Sequence, residues 1–134
     1  MAEYVGGASE ISNISDKVKI KKTVTNGKLG DYSDVTLEVS ILDDAEQYYL
    51  ITDFIPLSSR YTVGGNSYND GWGFIGYENQ KINFYVNSEK YNSYTIKYKI
   101  RNVFSGEFLM ESAFATDSDG MIVGKSNDLK FNVK

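Results

Sequence analysis

The sequence predicts an all-β antiparallel sandwich, and three observations carry that reading. Eleven Tyr and seven Phe, beside many Val, Ile and Thr, favour pleated, half-buried strands. Apolar and polar residues alternate strictly in one segment after another, with turn signals about every 8–12 residues. No stretch carries the 3.6-residue period of an amphipathic helix.

Residues 1 to 15 lack periodicity and are rich in Gly, Ser and Asn, which reads as a linker or loosely ordered lead-in. The domain proper is expected over 16–134. In the segment from Lys17 to Val24, Val18 and Ile20 point one way and Lys17, Lys19 and Lys21 the other, before the turn signal Asn26-Gly27. Val35, Leu37, Val39 and Ile41 form the next inward set, closed by Asp43-Asp44. Tyr48 to Phe54 is the third strand, stopped at Ile55-Pro56. The segment from Ser58 to Gly73 follows as the least regular part, a long Gly/Asn-rich loop. Trp72–Glu78 and Lys81–Asn87 read as a pair joined through Glu78-Asn79-Gln80, with Ile82, Phe84 and Val86 inward. Tyr94, Ile96, Tyr98 and Ile100 face in along the longest alternation, and Lys97, Lys99 and Arg101 face out. Ser105-Gly106 leads into a segment from Glu107 to Asp117, Asp117-Ser118-Asp119-Gly120 turns again, and a last strand buries Leu129, Phe131 and Val133. The sum is an immunoglobulin-like sandwich of about seven to nine strands.

A chain of 134 residues has the length of one domain and can bury a core without staples. Zero Cys excludes a disulfide framework, a thiolate metal site and a thiol nucleophile; zero His removes the commonest general base and metal ligand. Net charge is −4 with the bases scattered, which argues against a nucleic-acid partner. No apolar run approaches the roughly 20 residues that span a bilayer, and with no basic n-region followed by an apolar h-region at the start, no signal peptide is expected. Met1-Ala2-Glu3 reads as an expression start placed before one domain cut from something larger. No enzyme activity and no cofactor are expected.

Candidate sites are few. Asp117-Ser118-Asp119-Gly120 resembles the opening of a calcium loop, but the fifth and sixth positions are Met121 and Ile122 and the twelfth is Asp128. A plain hairpin turn is the preferred reading. Paired carboxylates about 5–9.5 Å apart could cleave a glycosidic bond. Most acids, such as Asp31, Asp34, Asp43, Asp44 and Asp70, are placed by their neighbours in turns, where capping accounts for them. An intramolecular Lys–Asn bond between the first and last strands needs a dry site. Lys17, Lys19 and Lys21 all lie opposite Val18 and Ile20, and Asn132 lies opposite Phe131 and Val133, so none is expected. The aromatic loop is the better candidate: Tyr61, Tyr68, Asn69, Trp72 and Tyr77 form a possible interaction surface whose rings could stack on sugars or partner side chains. The competing expectation, which we favour, packs Trp72 in the core.

The order of landmarks from the third strand onward resembles the terminal macroglobulin-type domain (MG10-like) of bacterial α2-macroglobulin-like proteins. The matching pieces are Tyr49 to Pro56, which contains Thr52-Asp53-Phe54-Ile55-Pro56, the charged turn and aromatic strand from Glu78 to Tyr85, and Tyr94 to Arg101. Gly106-Glu107-Phe108 and Gly124-Lys125-Ser126 complete the set, over roughly residues 32 to 134. The chain departs from the family at Met110 to Ala115, where a Pro-rich approach to Met-Tyr is usual, and it holds no Cys-Gly-Glu-Gln thioester.

The resemblance implies a non-catalytic structural and protein-interaction module of a larger secreted or envelope-anchored bacterial protein, docked on a neighbouring domain. The setting would be extracellular or the cell envelope, and the partners would be domains of the parent protein, other proteins or polysaccharide. A carbohydrate-binding or adhesion module using the Tyr68–Trp72 loop is the alternative.

Overall fold

The computed structural model describes residues 16–62 and 71–134. Among them are eleven strands and no helix, so none that is long and apolar enough to cross a membrane. They are β1 (Val18–Val24), β2 (Tyr32–Ile41), β3 (Tyr48–Phe54), β4 (Ser59–Tyr61), β5 (Trp72–Glu78) and β6 (Lys81–Asn87). β7 (Ser93–Asn102), β8 (Gly106–Met110), β9 (Phe114–Thr116), β10 (Ile122–Lys125) and β11 (Leu129–Val133) complete the set.

One sheet has the order β1-β2-β7-β4, and the facing sheet has the order β10-β9-β3-β6-β5. β8 and β11 pair with each other, and β11 joins the end of the first sheet through a parallel bridge between Gly27 and Val133. All ladders are antiparallel. This is the all-β antiparallel sandwich the alternation predicts. Strand number exceeds the expectation because short strands were hidden. β4 lies inside the segment read as loop, paired to β7 through Ser59 and Asn102. The segment after Ser105-Gly106 splits into β8 and β9, which belong to different sheets. β10, only four residues long, was not foreseen. Strands this short carry too few alternations to be read from sequence.

The core follows the parity of each strand. Val35, Leu37 and Val39 lie opposite Tyr98, Ile96 and Tyr94 in the β2–β7 register, Ile100 lies opposite Ser33, and all are buried. From the opposite sheet Tyr49, Ile51, Ile82, Phe84 and Val86 close on them. Phe84 lies 5.8 Å from Tyr98 between ring centroids, which joins the two sheets at their middle. The β5–β6 hairpin turns on Asn79 and Gln80, both with positive φ, which is the backbone that matches two-residue hairpins to strand twist. Gln80 also holds the chain before β4, donating to the carbonyls of Pro56 (3.0 Å) and Ser59 (2.8 Å).

Candidate functional site

Of the residues expected in the aromatic loop, the structure describes Tyr61, Trp72 and Tyr77. Trp72 is 3% exposed and packs edge-on against Phe84 at 5.7 Å, in the core as favoured above. Tyr61 and Tyr77 are half-buried and tilt against each other at 5.2 Å, with Phe74 stacked on Tyr61 at 5.5 Å. Tyr68 and Asn69 lie outside the described residues. The rings that are placed here satisfy one another.

The Asp117 turn is a hairpin closed by its own side chain. Asp117 Oδ1 accepts from the backbone N–H of Asp119 and of Met121, each at 3.0 Å, and Gly120 takes the positive φ. Glu46 approaches from the loop before β3 and accepts from Ser118 Oγ at 2.7 Å. Carboxylate oxygens of Glu46, Asp117 and Asp119 lie within 4.8 Å of one another at the surface. Asp31 and Asp43 cap turns as expected, through the N–H of Tyr32 and of Ala45. Asp34 corrects its expectation: it lies in β2 and pairs with Lys99 across the ladder at 2.7 Å, both about half exposed.

Lys22 was missed by the sequence reading, although its parity with Val18 and Ile20 points it inward. It is 1% exposed. Its Nζ donates to Asp53 Oδ1 at 2.6 Å and to the Glu111 carbonyl at 2.9 Å. Asp53 is fully buried; it also accepts from the Phe54 N–H (2.8 Å) and, on Oδ2, from the Tyr98 hydroxyl (2.6 Å). Burial first, and then the charge of Asp53 beside it, holds the Tyr98 hydroxyl well above its ordinary value. The group stays protonated and keeps donating. Asn127 clamps the backbone of Lys22 from the side, accepting from its N–H at 3.0 Å and donating to its carbonyl at 3.1 Å. Thus β1 and β7 of one sheet and β3 of the other meet in one dry polar cluster.

Outside the core the two sheets differ sharply. Alternation puts Lys19, Lys21, Glu38, Lys97, Lys99 and Arg101 on the outer face of the four-stranded sheet. The outer face of the five-stranded sheet centres instead on Tyr48, Leu50, Tyr85, Phe54, Phe114 and Ile122. Tyr48 and Tyr85 meet edge to face at 5.8 Å, and Phe54 lies 6.0 Å from Phe114. Thr52 and Asn83 supply the polar groups between them and hydrogen-bond each other at 2.8 Å. A groove of about 280 Å³ opens beside Tyr48, Leu50 and Tyr85 and ends at Asp117. A second concavity, about 430 Å³, lies over Ser40, Tyr91 and Thr95 and is lined by one acid, Glu38.

No protein-family model and no curated protein matches the chain in sequence. Solved structures do match in shape. The Escherichia coli α2-macroglobulin fragment running from domain MG7 to the C-terminus superposes with a TM-score of 0.69 at 14% identity, over 90% of this chain and 24% of that one. A non-cellulosomal cohesin of Archaeoglobus fulgidus gives 0.57 at 14% identity, over 88% of this chain and 91% of the cohesin. A type I cohesin from Clostridium thermocellum, solved as a cohesin–dockerin complex, gives 0.51 at 12% identity, over 91% and 96%. The chain spans about a quarter of the α2-macroglobulin fragment it matches. In fold, the chain is a β-sandwich similar to the domain it matches in the α2-macroglobulin fragment and to the cohesins.

Proposed function

We propose that this chain is a non-catalytic protein-docking module of a larger secreted or envelope-anchored bacterial α2-macroglobulin-like protein, and that it binds a neighbouring domain of that protein. The observation that carries the reading is the outer face of the five-stranded sheet. Its middle, Tyr48, Leu50 and Tyr85, is aromatic and aliphatic, with Lys81 opposite Phe54 and Lys125 opposite Phe114 at its flank, whereas the opposite outer face is dense in charge. Contiguous apolar surface of this kind marks interaction sites. Tyr is favoured in interface centres and charged residues are depleted there. The acidic group Glu46, Asp117 and Asp119 rims one end, so the matching surface is apolar with a basic edge.

The shape relatives support a module that works through contacts with protein. One is a part of a much longer α2-macroglobulin, and another was solved bound to dockerin. The polysaccharide reading draws less support, since Trp72 lies in the core. Hydroxyl-radical footprinting tests the proposal on the chain alone and within the polypeptide that its reading frame encodes. Tyr48, Leu50 and Tyr85 should be protected in the longer protein. Equal labelling in both, or a reading frame with no other domain, would overturn it.

A further inference from the structure

The contact between Lys22 and Asp53 joins opposite sheets in a chain that has no cysteine to tie them. Both side chains have zero exposure and sit 2.6 Å apart. Withdrawing an ammonium and a carboxylate from water is costly. Passing the proton along their hydrogen bond leaves a neutral amine and a neutral carboxylic acid, so that no charge is left without water around it. The amine is then a nucleophile held against a carboxyl group in a site closed to water.

We propose that Lys22 and Asp53 condense into an intramolecular amide that staples the two sheets together. The lysine ammonium first gives a proton to Asp53 Oδ1. The Nζ lone pair then forms a bond to Cγ, and the C=O pair moves onto Oδ2, where the Tyr98 hydroxyl already donates at 2.6 Å. A proton passes from Nζ to the Oδ1 hydroxyl, the Cγ–Oδ1 bond breaks with its electron pair, and one water departs. The Phe54 N–H, 2.8 Å from Oδ1, stabilises the leaving oxygen. In the product Oδ2 is the amide carbonyl, accepting from Tyr98, and the remaining N–H faces the Glu111 carbonyl that Nζ contacts at 2.9 Å. No oxidant, metal or cofactor enters the balance. Asn127 holds the Lys22 backbone in register for the attack.

Lys99 and Asp34 provide an internal control. Their separation is 2.7 Å, nearly the same, but both are about half exposed. There water solvates both side chains and competes for their hydrogen bonds.

Intact mass spectrometry of the purified, denatured chain is the test, followed by proteolysis. The mass should be lower than the sequence mass by one water. The peptide carrying Lys22 should be joined to the peptide carrying Asp53, with Lys99 and Asp34 in linear peptides. Lys22→Arg and Asp53→Ala should keep the full mass, a readout that does not depend on either variant folding. Tyr98→Phe should convert a smaller fraction. A wild-type chain at full mass overturns the proposal, as does water loss confined to a linear peptide through a succinimide. Full conversion in Tyr98→Phe would overturn the part assigned to Tyr98.

Discussion

The Tyr98 hydroxyl reaches across the sandwich to Asp53 Oδ2, 2.6 Å away, with neither residue exposed to solvent. Removing that hydroxyl leaves a buried oxygen without its donor. Such a loss costs about 1–3 kcal/mol. Tyr98→Phe should therefore lower the urea midpoint with little change in m-value, measured at neutral pH.

The same residue predicts an alkaline limit. A tyrosine in the unfolded chain titrates near 10.0, and burial holds the folded Tyr98 well above that. Between those two values the unfolded chain loses a proton that the folded chain retains, so unfolding gains ground as pH rises. The contribution is intact below 10 and is lost progressively above it. Melting curves from pH 9 to 11.5 should show a steeper fall for wild type than for Tyr98→Phe. Parallel curves would place the alkaline sensitivity elsewhere.

Gly124 is required by the approach of β10 to β1. A Cβ there would lie 1.9 Å from the Val18 carbonyl oxygen, a backbone atom that cannot rotate away. Forcing such an approach costs about 1–3 kcal/mol or more. Gly124→Ala should lower the melting temperature clearly. Gly76, with nothing within 4 Å of its Cβ position, is the matched control. Gly76→Ala should be close to neutral.

Asn102 organises the polar end of the core beside β4. Its Oδ1 accepts from Ser59 Oγ at 2.8 Å and its Nδ2 donates to Ser33 Oγ at 3.0 Å, all three residues being buried. Asn102→Leu takes one partner from each hydroxyl, leaving Ser33 Oγ the Asn26 carbonyl and Ser59 Oγ the Ser58 hydroxyl, and should cost about 1–3 kcal/mol. Calorimetry should show a larger loss for Asn102→Leu than for Ser33→Ala, which removes one partner alone.

Trp72 offers a direct optical check. At 3% exposure and packed on Phe84, it should emit at short wavelength and resist iodide quenching in the folded chain. Strong quenching without unfolding would contradict its place in the core.

Much of this was legible in the sequence because strand parity is a local property. Ile82, Phe84 and Val86 face in, and Lys97, Lys99 and Arg101 face out, as alternation alone requires. Lys22 was equally legible: it shares its parity with Val18 and Ile20, and reading its charge ahead of its position hid it. The Asp117 turn also showed in sequence, because the side chain bonds to a backbone two to four residues on.

What the sequence determined by itself was the fold class and the inward face of each long strand, since both follow from a period of two residues read along the chain. Only the tertiary structure decided which strands are neighbours, which outer face is apolar, and that Lys22 finds Asp53 and Tyr98. Those three residues lie 31 and 45 positions apart along the chain. Their meeting depends on two sheets stacking in one register, and no local pattern encodes a contact made through the space between them.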